Sequence, residues 1–225
     1  SFEPIAISSE STVVAEFETE QKTATAYQSE AQLEDAFIDL LKSQAYEYLK
    51  INTEADVVIN LRKQLELLNK VEFSDVEWER FFREGISGEN DGIIEKTSRI
   101  QEDHIRVLNR DNGETKNIYL IDKQNIHNNK LQVLNQYEIE GSRANRYDVT
   151  ILVNGLPLVH VELKRRGVDL REAFNQINRY QRESFWAGSG LFEYVQLFVI
   201  SNGTLTKYYS NSVRSQHLKE KQSSG

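Results

Sequence analysis

The sequence contains no cysteine and no methionine, and no run of apolar residues approaches the ~20 that a membrane span requires. Without cysteine, the chain has no disulfide framework, no zinc–thiolate site and no cysteine nucleophile. No secretory signal is visible either. These absences predict a protein of the reducing cytoplasm that has no membrane partner.

An excess of positive charge is also absent, because the formal net charge of the 225 residues is −8. This balance argues against a protein coated in basic patches for indiscriminate nucleic-acid binding, although it leaves room for a local basic groove. The 39% of hydrophobic residues allows a sizeable core and argues against wholesale disorder. Since the chain starts at Ser1 and lacks methionine, we expect it to be part of a longer protein.

Helical patterns follow a weakly periodic segment at 1–28, which we interpret as an arm or an edge strand. Apolar residues recur at helical spacing from residue 29 to about 49 and again over 55–70. Another short helix is predicted after a glycine-punctuated loop at 85–92. Two pairs of residues fit capping boxes at helix starts: Ser29 with Gln32, and Ser74 with Glu77.

Strand patterns replace the helical ones from about residue 105. Three Asn-Gly turns, at 112–113, 154–155 and 202–203, separate runs rich in β-branched and aromatic residues. One helix, predicted over 168–184, interrupts this series of strands. The order of helices followed by strands with one crossover helix predicts a mixed sheet flanked by helices.

Asp148, Glu162 and Lys164 lie inside the apolar runs of the hairpin RYDVTILVNGLPLVHVELKRR, at 146–166. Alternate residues of a strand share a face, so Glu162 and Lys164 point the same way, and the turn brings Asp148 near the level of Glu162. Paired carboxylates suit a hard cation such as Mg²⁺, and the carbonyl of Leu163 is a further candidate ligand. A metal so held can generate a nucleophilic water at a phosphodiester, and Lys164 could stabilise the developing charge. A buried ion triad that ties two strands together is the alternative, and spacing alone leaves both open.

The helix that follows carries further polar candidates. Gln176 and Tyr180 are four residues apart and share a helical face, where they could brace the site or contact a DNA phosphate. A helix packed by Tyr180 with a solvated Gln176 is the alternative. Basic residues cluster in the same region and predict a phosphate-facing surface, unless they form an ordinary solvated helix face: Lys164, Arg165, Arg166, Arg171, Arg179 and Arg182.

His160 shares the parity of Glu162 on the same strand. A lone histidine on a strand is more often a structural hydrogen-bonding group than a general base. We therefore give His160 no part in the predicted mechanism.

The combination of Asp148, Glu162-Leu163-Lys164 and Gln176-x-x-x-Tyr180 resembles the PD-(D/E)xK nucleases. The longer stretch ANRYDVTILVNGLPLVHVELKRRGVDLREAFNQINRY is similar to the N-terminal endonuclease region of the restriction (motor) subunit of type I restriction–modification enzymes. The segments SEAQLEDAFIDLL, NIYLIDK and LFVISNGT also resemble that family, so the similarity spans roughly residues 27–210. One departure is Tyr147, which stands where the motif's name has proline.

This resemblance implies a PD-(D/E)xK nuclease-like three-layer α/β fold, with a central mixed sheet and an N-terminal helical part. It implies a type I site-specific deoxyribonuclease that cleaves double-stranded DNA with Mg²⁺, for which Mn²⁺ would substitute. Asp148 and Glu162 would be metal ligands and Lys164 catalytic. Related nucleases often add a glutamate from the first helix, and Glu34 is preferred to Glu30 for that place. A helix-surface charge is the alternative for either glutamate.

The resemblance also implies a domain organisation. Residues 1–28 form an N-terminal arm, 29–212 the endonuclease domain, and 213–225 a linker toward helicase domains absent from the chain. Within the endonuclease domain, 29–104 is the helical part and 105–212 the catalytic sheet core.

The intact family subunit couples cleavage to ATP-driven DNA translocation, which needs a phosphate-binding G-x-x-x-x-G-K-[ST] loop. None of the eleven glycines begins such a loop, so ATP would be bound by the full-length subunit and not by this chain. Methylation and specificity subunits would be partners in the cytoplasm of a bacterium or archaeon. Two alternatives stay open: a nuclease fold that has become a non-catalytic DNA-binding or assembly module, and a stand-alone repair or recombination nuclease.

Overall fold

The structure, a computed structural model, describes most of the chain. The described residues are 2–7, 13–18, 29–51, 53–139, 145–171 and 188–210, with the backbone alone at 2–7, 13–18, 136–139 and 145–148. No helix in these ranges is both long enough and apolar enough to pass through a membrane.

Four α-helices and ten strands are defined in the described part of the chain. The helices are α1 (Glu30–Ser43), α2 (Glu54–Asn69), α3 (Asp75–Phe81), which continues as a π-helical turn (Phe82–Ile86), and α4 (Ile93–Gln101), with short 3-10 helices at Ile126–Asn128 and Leu191–Tyr194. The strands are β1 (Phe2–Ile7), β2 (Val13–Glu18), β3 (Glu47–Tyr48), β4 (Ile105–Asn109), β5 (Thr115–Tyr119), β6 (Leu131–Ile139), β7 (Asn145–Val153), β8 (Leu156–Leu163), β9 (Leu197–Ser201) and β10 (Leu205–Ser210).

Local signals set the starts of two helices as predicted. At α1, Ser29 Oγ accepts from Gln32 N at 3.2 Å and Gln32 Oε1 accepts from Ser29 N at 2.9 Å. At α3, Ser74 and Glu77 exchange the same pair of hydrogen bonds, at 3.1 and 3.0 Å. Both capping boxes are confirmed, and each satisfies backbone N–H groups that the first helical turn leaves without partners.

The main sheet has eight strands in the order β1-β2-β10-β9-β8-β7-β6-β3. It is mixed, because β8 runs parallel to β9 and β3 parallel to β6, while the other neighbours are antiparallel. Strands β4 and β5 form a separate two-stranded sheet. The N-terminal segment supplies β1, at one edge of the main sheet, and β2, which pairs with β10. The predicted domain boundaries stay a prediction.

Helices cover both faces of this sheet, which confirms the predicted mixed α/β sheet flanked by helices, with a helical part toward the N-terminus. Helix α1 covers one face, where Ile38 and Leu41 pack against Val133, Val149, Val161 and Leu163. Helices α2 to α4 and the β4–β5 hairpin cover the other face, where the larger core contains Leu134, Leu152, Leu158, Phe198 and Ile200 of the sheet. The strand residues of the two cores alternate along the chain, as the pleat of a strand requires.

The turn between β7 and β8 is fixed by its two residues. Asn154 and Gly155 have φ of +51° and +83°, the left-handed conformation of a tight hairpin turn. The Asn154 side chain is buried, accepts from Lys130 N at 2.8 Å and donates to the Leu120 carbonyl at 3.0 Å. Gly155 lies against α2, because a Cβ on it would be 2.6 Å from Leu61 Cα. The Asn-Gly dipeptide therefore has a structural role and sets the register of the two strands.

We expect Gly155→Ala to lower the free energy of unfolding by about 2–4 kcal/mol, because left-handed strain and overpacking add. The obstructing atom belongs to helix backbone, which cannot rotate away. Gly113→Ala is the matched control, since Gly113 has φ of +85° and nothing within 4 Å of its Cβ position. Chemical denaturation of both variants measures the difference, and equal losses would show that the contact with Leu61 contributes nothing.

A buried ion pair lies just before β9, which starts at the same end of the sheet as the Asn154-Gly155 turn because β9 is parallel to β8. Lys96 of α4 and Glu193 are only 1% and 5% exposed, and Lys96 Nζ donates to Glu193 Oε2 and to the Asp91 carbonyl. Nearby, Ser189 N donates to Glu54 Oε1 at 2.6 Å, at the start of α2. These contacts tie the segment 188–194 to the helical layer.

Candidate active site

Strand β8 positions the candidate site in the middle of the sheet. It is paired with β7 on one side and β9 on the other, and Glu162 lies opposite Ile200 of β9. On the β7 side, Val149 pairs with Val161. Because the two strands are antiparallel, this register brings position 148 to the level of position 162. The backbone therefore places Asp148 beside Glu162, as the hairpin predicts.

Glu162 and Lys164 form an ion pair on the face of β8 that is opposite to Val161 and Leu163. The Glu162 side chain is 0% exposed and Lys164 Nζ lies 2.8 Å from its Oε1. An unpaired carboxylate enclosed in this way would be costly, so the ammonium is what allows the charge to be buried. The structure thus brings these two residues together, while their chemical roles stay a prediction.

The carboxylate of Glu162 has a second neighbour in His160, whose Nε2 lies 3.6 Å from Oε2. Burial alone would raise the pKa of the Glu162 carboxyl, but the interactions with His160 and Lys164 outweigh it and lower the pKa below its usual value. The group is therefore ionised at neutral pH. An ionised, enclosed carboxylate is suited to receive a cation.

The two candidate glutamates of α1 lie in different places. Glu34 is buried and accepts from Asn135 Nδ2 at 2.5 Å, so it is not a helix-surface charge. Asn135 is two residues after Val133 in β6, so both lie on the face of the sheet that α1 covers. Glu162 lies on the opposite face. The structure therefore does not bring Glu34 to Glu162 through the described contacts, and its role as a ligand stays a prediction.

Glu30 lies nearer the end of β8. Its Oε1 accepts from Arg165 N at 3.3 Å, one residue beyond Lys164. Its side chain is exposed, as is that of Arg165. The first turn of α1 therefore meets the chain where the predicted phosphate-facing surface begins.

The remaining predicted residues divide between described and undescribed parts of the chain. Leu163 lies between Glu162 and Lys164, with its side chain in the α1 core, and pairs with Ser201 of β9. The side chain of Asp148 lies outside the described part. Four residues of the predicted accessory helix also lie outside it: Gln176, Arg179, Tyr180 and Arg182.

The donor set can be compared with the needs of a divalent cation. Among the side chains that the structure describes, no group of three or more histidine and acidic residues is arranged for a metal. The ionised carboxylate of Glu162 and an aspartate at its level on the next strand are both hard oxygen donors. Mg²⁺ is commonly held by one or two carboxylates and retains several waters. The residues therefore fit such an ion without a larger protein cage.

Comparisons with known proteins identify the family of the chain. The family model described as "Type I restriction enzyme R protein N terminus" matches residues 27–217. The EcoprrI endonuclease subunit of a type I restriction enzyme from Escherichia coli is 49% identical over 212 residues, which cover 94% of this chain and 68% of that protein. The SsaAORF53P endonuclease subunit from Staphylococcus saprophyticus is 42% identical over 193 residues, or 83% of this chain and 20% of the relative. The HindI endonuclease subunit from Haemophilus influenzae is 36% identical over 127 residues, or 53% of this chain and 12% of the relative.

The chain thus spans about a fifth of the staphylococcal relative and about two thirds of the one from Escherichia coli. The family model covers most of its residues. The chain belongs to the family of type I restriction enzyme R protein N termini.

Proposed function

We propose that this chain is the endonuclease domain of a type I restriction enzyme R subunit, which hydrolyses phosphodiesters of double-stranded DNA with Mg²⁺. The observation that carries the proposal is the fully buried, ionised Glu162, paired with Lys164 at 2.8 Å and level with Asp148. Relatives with 40% identity or more are named as endonuclease subunits of such enzymes, which supports the same conclusion.

Asp148, Glu162 and the carbonyl of Leu163 would hold the ion, with Mn²⁺ as a substitute. When bound, Mg²⁺ supplies a low-pKa water and charge neutralisation at the phosphate. Glu34 remains a further candidate for this ligand set.

Lys164 has the position expected of the group that orients the attacking water or stabilises the phosphoryl charge. The Lys164 side chain is 13% exposed and that of Glu162 is fully enclosed, so Lys164 is the one of the two that a substrate could contact. Its ammonium would donate to a phosphate oxygen and stabilise the charge that develops there.

Three arginines and the Gln-x-x-x-Tyr motif are the residues that we propose to contact the DNA. Arg165 is exposed directly after Lys164, and Arg179 and Arg182 belong to the helix that the sequence predicts beyond it. Guanidinium groups bind phosphates bidentately, so these side chains would hold the DNA backbone rather than read its bases. Gln176 and Tyr180 would brace the site or contact a phosphate.

The remaining functions of the enzyme would belong to other parts of it. Helicase domains of the R subunit would bind ATP and translocate the DNA before cleavage. The specificity and methylation subunits would select the site, so we expect little sequence preference from this chain itself.

Calorimetric titration of Mn²⁺ and Mg²⁺ into the chain tests the metal site. We expect Glu162→Gln to weaken binding at least about tenfold, because it removes the one described carboxylate with a lowered pKa in the site. Asp39→Asn is the matched control, since Asp39 is a carboxylate exposed on α1 and pairs with Lys42 of the same helix. Its affinity is expected to equal that of the parent.

Unchanged binding in a folded Glu162→Gln variant would contradict the proposal. The pair at 2.8 Å would then be a structural ion pair, and the chain a non-catalytic DNA-binding or assembly module of the restriction enzyme.

A further inference from the structure

His160 is enclosed in a rigid setting two residues before Glu162 on the same face of β8. Its side chain is only 1% exposed. In the sheet it lies beside Phe198 of β9, whose ring it meets edge-on with centroids 6.3 Å apart. Phe198 in turn stacks on Tyr209 of β10, with centroids 5.2 Å apart and planes at 12°. The imidazole therefore contacts one aromatic ring, and that ring is stacked on a second one.

The two oxygens of the Glu162 carboxylate face different partners along the strand. Oε1 faces Lys164 Nζ at 2.8 Å, toward the end of β8, and Oε2 faces His160 Nε2 at 3.6 Å, toward the core. The second distance is too long for a strong hydrogen bond. In a buried site, however, the attraction between an imidazole N–H and a carboxylate is weakly screened.

We propose that His160 is a positioning residue, which fixes the orientation of the Glu162 carboxylate so that it is preorganised to bind the divalent cation. The inference rests on the proposed function and adds to it a residue outside the D…ExK motif. Without an N–H at this place, Oε2 would lose the group that faces it inside an enclosed site, and the carboxylate would rotate or recruit water.

The same burial argues against a direct chemical role for His160. Its ring is closed off from solvent by the strand pairing and by Phe198, and the Nε2 atom faces the ligand rather than a substrate. Groups that orient a metal ligand typically change metal affinity or activity by about 10–100-fold when they are removed. Replacing His160 is therefore expected to change the concentration of metal that the enzyme requires.

Two substitutions separate orientation from packing. His160→Leu keeps an apolar side chain of moderate size but removes the donor, and His160→Gln retains an N–H donor at the end of a longer side chain. Denaturation without metal reports whether each variant folds. Calorimetry with Mn²⁺ reports affinity, and cleavage by the complete restriction complex reports the half-saturating Mn²⁺ concentration and the maximal rate separately.

We expect His160→Leu to raise both the dissociation constant for Mn²⁺ and the half-saturating concentration about 10–100-fold, while saturating Mn²⁺ restores most of the maximal rate. We expect His160→Gln to recover most of the affinity. A folded His160→Leu variant with parental Mn²⁺ affinity would overturn the inference while leaving the metal site intact. A folded glutamine variant as weak as the leucine variant would also overturn it, because the donor would then not matter. If the parent chain itself binds no Mn²⁺, the proposed metal site fails and the inference fails with it.

Discussion

Replacing Lys164 with methionine is expected to reduce DNA cleavage by the complete restriction complex at least about a hundredfold, the usual effect of deleting one group that stabilises transition-state charge. Methionine retains an unbranched side chain but has no charge and no N–H donor. ATP hydrolysis by the complex is expected to continue, because the motor would lie in other domains. Cleavage of circular DNA and ATP turnover, measured in the same reaction, check both expectations.

Loss of folding is the competing explanation, because the methionine variant leaves Glu162 buried without its ammonium partner. Lys164→Arg is the variant that separates the two effects. It keeps the charge beside Glu162 and should keep the stability, but its planar guanidinium cannot place a proton donor as the ammonium does. We expect it to fold normally and cleave poorly. Parental cleavage by the methionine variant would remove Lys164 from the mechanism.

Lys96→Met is expected to lower the free energy of unfolding by about 3–5 kcal/mol, because it leaves the buried Glu193 carboxylate without a compensating charge. The double variant Lys96→Met/Glu193→Leu removes both charges and is expected to recover most of the loss. Denaturant unfolding of the two variants measures this difference. If the double variant were no more stable than the single one, the two side chains would stabilise the fold by more than cancelling each other's buried charge.

The effect of Lys96→Met should also depend on pH. Burial raises the pKa of the Glu193 carboxyl, against the opposing effect of Lys96. A carboxyl whose pKa is higher in the folded than in the unfolded protein stabilises the fold at low pH, where it is protonated in both states. This stability is lost as the pH rises from the ordinary pKa through the raised pKa of the folded state. Removing Lys96 raises that pKa further, so the destabilisation is expected to be larger at pH 8 than at pH 5.5. Equal losses at the two pH values would contradict this account.

Local chemistry explains which parts of the fold were predictable from the sequence. The capping pairs at Ser29 and Ser74 act over three residues, and the Asn154-Gly155 turn joins adjacent strands, so short stretches contain the whole signal. The alternation of Glu162 and Lys164 follows from the strand period in the same way. These elements are all found where the sequence places them.

Contacts between distant parts of the chain were not predictable. Lys96 and Glu193 are 97 residues apart, and Glu34 and Asn135 are 101 apart, so no spacing rule joins them. The parity of His160 with Glu162 was visible, but the edge-on contact of the imidazole with Phe198 depends on β9 lying next to β8. Such pairs follow from strand order, and strand order is decided by the packing of the complete core.

Strand β8 is hydrogen-bonded along both edges, to β7 and to β9, and its side chains pack on both faces of the sheet. Backbone enclosed in this way exchanges its amide hydrogens only when much of the sheet opens, which is rare. The backbone amide of Glu162 is therefore expected to be among those that exchange slowly. We expect the moment of cleavage to be set by when DNA arrives at the sheet, since the strand that carries Glu162 is held in place beforehand.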